Sequence, residues 1–548
     1  MENFNIFDFI YDTYKIENKN PLRVIELFGG YGSQTLALKY LGVKYQHWKL
    51  CEWAVPSIIA YASLHRNELE WYGDNFCGDL SKEQIAKLLF EMGVSIDYNK
   101  PATLEQLKRM NEDKLRLVFN SIHWSNNLVD ISRVKGQELN IQETEKFTYL
   151  LTYSFPCQDL SLAGKGKGME RGSGTRSGLL WEVERILSEC ERKPQILVME
   201  NVTQVHGIGN DEHFKEWQLR LEEMGYQNYW NDMIATDYGI PQTRNRTFMV
   251  SVLGGFNYSF PKKKKLDINL YALIEKQVDD KYFLTKKQIE LISELNAYEK
   301  PLEKMEIIER ERVAPTLTTR TSAFAAGMIL IKNATKKGYL EAREGDGVDI
   351  SSRMESHRGT VQKNMSQTIT TMGGENVGVV VTQKNIPEEI NKVKVLGNYS
   401  PSNHESSRIV SSSSYPTVKE NHGTVPAVAI EESQLLGGFG SKGSTNQYRT
   451  QNRVYSSSSS SPTLSTSFNP SYQVDLEIRK LTPRDCFRLM GLKDEDIDLI
   501  LENQTQATAY HLAGDSIVTT CLMAIFSQFY GIDWKEHFNP KEWWKNER

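Results

Sequence analysis

The chain has 548 residues, 39% of them hydrophobic and 25% charged; this is globular usage with length for two or three domains, and it excludes wholesale disorder. Lys and Arg number 65 against 70 Asp and Glu, a net of -5, so any nucleic-acid contact must come from a local patch. Six cysteines stand singly, with no Cys-x-x-Cys pair and no zinc spacing, which speaks for a reducing compartment and against a structural metal.

The first residues carry Asp8 and Asp12 where a signal peptide would be positive, and no run reaches the ~20 apolar residues of a membrane span, so a soluble, unsecreted protein is expected. Residues 22 to 27 form a short apolar run that breaks into Phe28-Gly29-Gly30-Tyr31-Gly32-Ser33 and then shows helical spacing at Leu36, Leu38 and Leu41. Similar runs at 46 to 51, 149 to 155, 195 to 199 and 247 to 253 alternate with stretches that suit helices, predicting a parallel sheet covered on both faces. From about 82 to 145 the pattern is helical and polar and reads as an insertion between two strands.

After Phe256 the texture changes to Ser, Thr, Asn and Gly with short β-branched runs as far as about Asp475. An internal repeat lies here. Thr316-Leu317, Thr368-Ile369, Thr417-Val418 and Thr463-Leu464 share one core, with spacings of 52, 49 and 46 residues. Each unit is expected to supply two or three strands. From Leu481 the chain turns helical again, and Ile517 to Phe529 reads as a closing amphipathic helix.

Several groups fall at the ends of the predicted strands, the side on which open α/β sheets bind ligands. The glycine turn lets a nucleotide-like ligand approach a helix N-terminus. Glu52 comes 20 residues past Gly32, where an acid can accept hydrogen bonds from ribose hydroxyls, and Trp53 beside it offers a stacking face. Taken alone, the pair fits a helix-starting acid and a core tryptophan equally well. Pro156-Cys157-Gln158 closes the third run and opens into Gly164-Lys165-Gly166-Lys167-Gly168, a setting for a nucleophilic thiolate, although a single cysteine is more often packing. Glu200 follows the fourth run and can exchange a proton there; its bland alternative is a helix-capping acid. Arg244 and Arg246, two apart, point to one side of an extended segment and suit phosphate or base recognition, or else a surface ion-pair cluster.

The ordered set Phe28-Gly-Gly-x-Gly, Glu52-Trp53, Gly78-Asp79, Pro156-Cys157-Gln158, Glu200-Asn201-Val202, Gln242-x-Arg244-x-Arg246, Leu481-Thr-Pro-Arg484 and Gly514-Asp515-Ser516 resembles the motifs of the DNA (cytosine-5) methyltransferase family, prokaryotic or phage type. The resemblance covers roughly 22 to 255 and 476 to 530. It implies a doubly wound, Rossmann-like α/β core in two pieces, 1 to 255 and 476 to 548, with a mostly β target-recognition domain at 256 to 475 inserted between them. It further implies sequence-specific methylation of double-stranded DNA with S-adenosyl-L-methionine as cofactor, no metal, and a cytosine flipped out of the duplex because its ring is closed off within the stack.

In that scheme Cys157 attacks carbon 6, Glu200 protonates the ring nitrogen, and carbon 5 takes the methyl group. Arg244 and Arg246 position the base and its phosphate. Phe28, Gly30, Gly32, Glu52, Trp53, Asp79, Leu80, Pro156, Asp515 and Ser516 hold the cofactor, while Gln158, Gly164, Lys165 and one recognition threonine meet DNA. Thr463 is the simplest choice, being nearest Leu481. A single domain of four similar hairpins is preferred to tandem recognition units.

The chain departs from the family at Ser33 (usually Gly), Glu26 (usually Asp) and Asp515 (usually Asn). The resemblance also implies a monomer in the cytoplasm of a prokaryotic cell, possibly phage-encoded, with a partner restriction endonuclease as an open option. Rival readings are an RNA (tRNA) cytosine-5 methyltransferase, which would lack so large a recognition region, and a non-catalytic DNA-binding relative. An amino-methyltransferase suggested by Asn469-Pro470-Ser471-Tyr472 would need no Cys157.

Overall fold

The computed structural model describes residues 20–157, 160, 168–254, 257–284, 328–336, 338–351, 358–371, 376–382 and 476–544, together with short strands between 395 and 473. Contacts divide the chain into two compact units. The first holds Met1–Val278, Asn364–Val377 and Leu481–Arg548; the second holds Asp279–Lys363 and Gly378–Lys480. The boundaries fall at 278 and 481 instead of 255 and 476 because the chain after Phe256 still packs on the first unit: Tyr258 stacks against Phe529, and the Leu273 carbonyl accepts from Arg488.

The first unit is built on a six-stranded sheet: β1 (Leu22–Leu27), β2 (Tyr45–Cys51), β3 (Thr148–Tyr153), β4 (Ile196–Val202), β5 (Tyr226–Ile234) and β6 (Asn245–Leu253), in the order β2-β1-β3-β4-β6-β5. The first four lie parallel, as the short apolar runs predict; β6 runs antiparallel to both β4 and β5. This departs from the all-parallel expectation, and it matters. An antiparallel β6 brings its start, at Asn245 and Arg246, to the sheet edge where β4 ends at Glu200-Asn201-Val202.

Ile25, Leu27, Tyr149, Leu151, Tyr153, Leu197 and Met199 bury one face of the sheet under α6 (Leu180–Glu189) and α7 (Asp211–Glu223). The alternate residues Val24, Leu150 and Val198 are buried too, as strands covered on both sides require. Helix α1 (Ser33–Tyr40) follows the glycine turn and α2 (Val55–Leu64) follows β2.

The insertion forms α3 (Lys82–Met92), α4 (Leu104–Arg109) and α5 (Glu112–Trp124), each started by a side-chain cap from Ser81, Thr103 and Asn111. Ile85, Leu89, Leu107, Leu115 and Val118 join Val55, Ile58 and Ile59 of α2 in one cluster, so the insertion rides on the helix that follows Glu52.

The unit is completed by α8 (Pro483–Leu489), α9 (Asp494–Leu501), α10 (Gln506–Asp515) and α11 (Thr519–Tyr530). The amphipathic helix expected at 517 to 529 is instead buried nearly all round and packs on α1. Gln506–Tyr530 is long and apolar enough to cross a membrane by length and composition, yet 89% of its apolar window is buried inside the fold, as a core helix is.

The described part of the second unit is β-structure. Val395–Asn398, Arg408–Ser411 and Val428–Ala429 form a three-stranded sheet, one pair antiparallel and the other parallel. Leu435–Gly438, Arg453–Ser456 and Ser471–Gln473 repeat that arrangement, with an irregularity at the equivalent place, Val395/Gly397 in one and Leu435/Gly437 in the other. A four-stranded sheet joins Gly347–Asp349, Val361–Gln362, Val377–Thr382 and Leu476–Lys480. The architecture is a Rossmann-like α/β core with an inserted β region.

Candidate active site

Four strands deliver chemistry to one edge of the sheet. After β1 the backbone takes left-handed values at Phe28 (φ 57°), Gly30 (φ 57°) and Gly32 (φ 85°). A side chain at Gly32 would meet the His65 ring at 2.3 Å, whereas a Cβ on Gly30 would meet nothing within 4 Å. Gly32 therefore serves packing, and Gly30 keeps a side of the turn open. Behind the turn, buried Glu26 accepts from the Tyr61 hydroxyl at 2.6 Å, the Thr35 hydroxyl at 3.1 Å and the Thr35 amide at 3.3 Å. Burial pushes its carboxyl up to about 7.

Glu52 closes the same turn from β2. Its Oε2 accepts from the Gly30 amide at 3.0 Å and its Oε1 from the Ala54 amide at 2.7 Å. Burial raises this carboxyl as well, to about 7, against the pull of those hydrogen bonds. Its main chain is clasped by Asn127, which accepts from the Glu52 amide at 3.0 Å and donates to the Glu52 carbonyl at 2.9 Å. Val129, two residues on, stands at φ 65°, a costly value for a β-branched residue.

The segment laid beside Glu52 is therefore Asn127 to Val129, inside the expected insertion and just past its last helix. The expected Gly78-Asp79 lies before it; Asp79 is exposed, and Leu80 packs with Trp53 against the insertion's cluster. The signal that could have found this segment is the short apolar pair Leu128-Val129 between a helix end and Asp130.

Phe28, Ser57, Ser154, Asp515 and Ser516 converge on a cleft of about 30 Å³ beside the turn. Asp515, at the end of α10, lies 3.0 Å from His511 Nε2. Ser154 donates to the Phe28 carbonyl at 3.3 Å, which ties β3 to the turn.

Beyond β3, Pro156 accepts from Ser177 at 2.8 Å and Cys157 follows, half-buried. The Asn201 amide group donates to the Phe155 carbonyl at 2.9 Å, locking the end of β4 to the approach to Cys157. Burial raises the Cys157 thiol, Arg246 opposes that rise and Glu200 adds to it. Glu200 is itself raised by burial, against Arg246 and Arg244. Arg246 Nε stands 3.2 Å from Glu200 Oε1. Cys157, Glu200 and Arg246 are thus brought into mutual electrostatic reach.

Arg244 faces elsewhere. It is buried and donates to the Ile369 carbonyl at 3.0 Å and the Ser516 carbonyl at 2.7 Å. Gln242 does parallel work, donating to the Leu489 carbonyl at 2.7 Å and accepting from the Ile369 amide at 3.1 Å. Ser366 and Thr243 extend the contact through their backbones. Of the four repeat threonines, Thr368 lies in the first unit, and its neighbour Ile369 is held by Gln242 and Arg244. Gln158, Gly164, Lys165, Thr316, Thr417 and Thr463 lie outside the described residues. Among the described residues no group of three metal-ligating side chains occurs.

The model of the C-5 cytosine-specific DNA methylase family matches residues 107–531. The orphan methyltransferase M.SssI of Spiroplasma monobiae is 38% identical over 281 residues, 49% of this chain and 69% of that one. The type II methyltransferase M2.ScrFI of Lactococcus lactis subsp. cremoris is 34% identical over 270 residues, 49% of this chain and 71% of that one. A solved Entamoeba histolytica methyltransferase aligns over 93% of this chain and 98% of its own at 11% identity, with a TM-score of 0.44. With a family match across most of its length, and with Cys157, Glu200 and Arg246 gathered at one sheet edge, the chain belongs to the C-5 cytosine-specific DNA methylases.

Proposed function

We propose that this chain, a DNA (cytosine-5) methyltransferase that takes its methyl group from S-adenosylmethionine, carries out the transfer with Cys157, Glu200 and Arg246. The observation that carries the residue assignment is the 3.2 Å contact between Arg246 and Glu200 beside Cys157. The Cys157 sulfur adds to carbon 6 of a flipped cytosine. Glu200, held toward its protonated form by burial, gives a proton to the ring nitrogen, so electron density reaches carbon 5. Carbon 5 takes the methyl group; its own proton then passes to water, the ring nitrogen returns its proton to Glu200, and the electron pair freed at carbon 5 expels the Cys157 thiolate and restores the aromatic ring. Arg246 steadies the negative charge that both acids would carry, and Arg244 positions the chain around Ile369 and Ser516.

In the cleft Asp515 would hold the cofactor's ammonium, and Glu52, beside Gly30, would hold the ribose hydroxyls. S-adenosylmethionine supplies an electrophilic methyl on a sulfonium. We retain Phe28, Gly30, Trp53, Pro156 and Ser516 as cofactor neighbours. Gly32 and Arg244 act from behind. Gln158, Gly164 and Lys165 remain proposed DNA contacts.

Two separate sheets with one pairing scheme support a second reading of the β region, as tandem recognition units. Bisulfite sequencing of mixed-sequence DNA, with Cys157→Ala as control, decides both matters. Methylation in one context supports a single recognition domain, and two or more unrelated contexts support tandem units. No methylation above the control removes the assignment of Cys157.

The bacterial sources of the relatives support a cytoplasmic enzyme. A monomer, a phage origin and a companion restriction endonuclease belong to the same proposal.

A further inference from the structure

The insertion at 82 to 145 has no part in the chemistry outlined so far, yet one of its side chains enters the cofactor cleft. Ser95 pairs with the chain just after Glu52-Trp53: its amide donates to the Trp53 carbonyl at 2.7 Å and its carbonyl accepts from the Val55 amide at 2.8 Å. Three residues on, Tyr98 stands at φ 62°, a left-handed value that bulky side chains rarely adopt. The turn holds it there. Asp97 accepts from the Asn99 amide at 2.9 Å and the Lys100 amide at 3.2 Å, and Asn99 accepts from Arg176 at 2.6 Å.

This backbone aims the Tyr98 ring into the cleft that Phe28, Ser57, Asp515 and Ser516 line, where it stacks on His511 with centroids 3.8 Å apart and planes at 34°. The hydroxyl is buried and, lying close to Ser57, completes no hydrogen bond of normal geometry. Burial disfavours its ionisation and Glu52 and Asp515 add to that, so it remains a donor near the two acids proposed for ribose and ammonium. A buried polar atom without a partner, on a backbone kept in a rare conformation, is the mark of a group waiting for a ligand.

We infer that Tyr98 is a cofactor-binding residue supplied by the insertion, its ring and His511 forming one wall of the cleft and its hydroxyl bonding the charged amino-acid end of S-adenosylmethionine. The inference rests on the placement of the cofactor proposed above. It also gives the insertion a role at the site, because α3, α4 and α5 anchor the Tyr98 turn to α2 and the wall is thereby built on the helix that follows Glu52.

Calorimetric titration of the full chain with two probes tests it. S-adenosylhomocysteine carries the amino-acid end, and 5′-methylthioadenosine has the same nucleoside without it. Tyr98→Phe keeps the ring and removes only the hydroxyl. It should weaken S-adenosylhomocysteine about tenfold, the scale of one hydrogen bond to a charged group, and leave 5′-methylthioadenosine unchanged. In turnover, KM for S-adenosylmethionine should rise by a similar factor with kcat kept.

Equal loss for both probes would make Tyr98 a packing residue and overturn the inference, as would no loss for either. Failure of the unaltered chain to bind either probe would overturn the cofactor placement itself. Tyr98→Ala adds a check on the wall, since removal of the ring should weaken both probes.

Discussion

Arg246, the second residue of β6, stands directly across from Val202, the last residue of β4, and from there its guanidinium reaches Glu200 at 3.2 Å. The pair depends on the antiparallel course of β6, since a parallel strand would carry its first residues to the opposite edge. Arg246 also holds down the Cys157 thiol and the Glu200 carboxyl, both of which burial pushes up. Arg246→Ala should therefore raise both. Because the thiolate is the attacking form, the rising limb of kcat/KM against pH should move to higher pH, with at least a tenfold loss at neutral pH. Arg246→Lys should recover part of the rate. A profile unmoved by either change would separate Arg246 from the chemistry.

Cys157→Ser should abolish methyl transfer while leaving DNA affinity within about twofold, because a hydroxyl at that place has little of its anion near neutral pH. Methyl incorporation and gel-shift affinity, measured on the same preparation, give the two halves of this test. Glu200→Gln stays neutral at every pH, so it should cost rate and erase the fall in rate that follows loss of the Glu200 proton.

Stability should fall as the medium turns alkaline. Glu26 is raised to about 7 in the folded chain, so the fold holds its proton more tightly than the unfolded chain does. That contribution is complete below about pH 4.5 and is lost as pH rises through about 7, an effect of roughly 3 kcal/mol for the shift. Glu52 acts in the same direction. Urea melts of Glu26→Gln at pH 5 and pH 9 should differ less than those of the unaltered chain, and an unchanged difference would assign the pH dependence elsewhere.

Arg488 is buried on α8 and grips Asp494 through Nε and Nη2, both at 2.8 Å, while its Nη1 donates to Leu273 at 2.8 Å. Arg488→Ala removes both short hydrogen bonds to a buried carboxylate, which keeps Arg484 at 3.7 Å, and should cost at most about 3–5 kcal/mol. Replacing both partners with apolar residues should cost much less, which thermal denaturation of the single and double variants can show.

A methyl group at Gly514 would come within 2.2 Å of the Thr370 backbone, so α10 is pressed against the Thr368 segment. Gly514→Ala should displace that segment and reduce methylation, with a melting temperature lower by several degrees. Thr368→Ala should lower methylation with less effect on melting. If Thr463→Ala has the larger effect on every methylated context, the seated unit is not the one that reads the site.

Much of the core was legible because it rests on short apolar runs that end in polar residues: β1 before Phe28, β3 before Cys157 and β4 before Glu200. Strand β5 was missed since its sequence, Tyr226–Ile234, sets polar and apolar residues in pairs, giving neither a continuous apolar run nor a strict alternation. The hold of Asn127 on Glu52 went unseen because the helices α3 to α5 separate it from β2, and no local pattern records a pairing made 75 residues away. The choice among four threonines was beyond sequence reasoning for a related reason. The repeats are locally alike, and among the described residues the grip of Gln242 and Arg244 on Ile369 marks one of them.

The Tyr40 hydroxyl at the end of α1 donates to Asp496 at 2.6 Å, across 456 residues of sequence, and α1 packs on α11 further still along the chain. At translation rates of roughly 5–20 residues per second, a ribosome needs on the order of 20 to 90 seconds to make that intervening stretch. During this interval the sheet has one apolar face without its closing helix, and the glycine turn has no Asp515 or Ser516 opposite it. A nascent chain should therefore be prone to aggregation and inert toward DNA until its final helices emerge, so that the order of synthesis itself delays methylation.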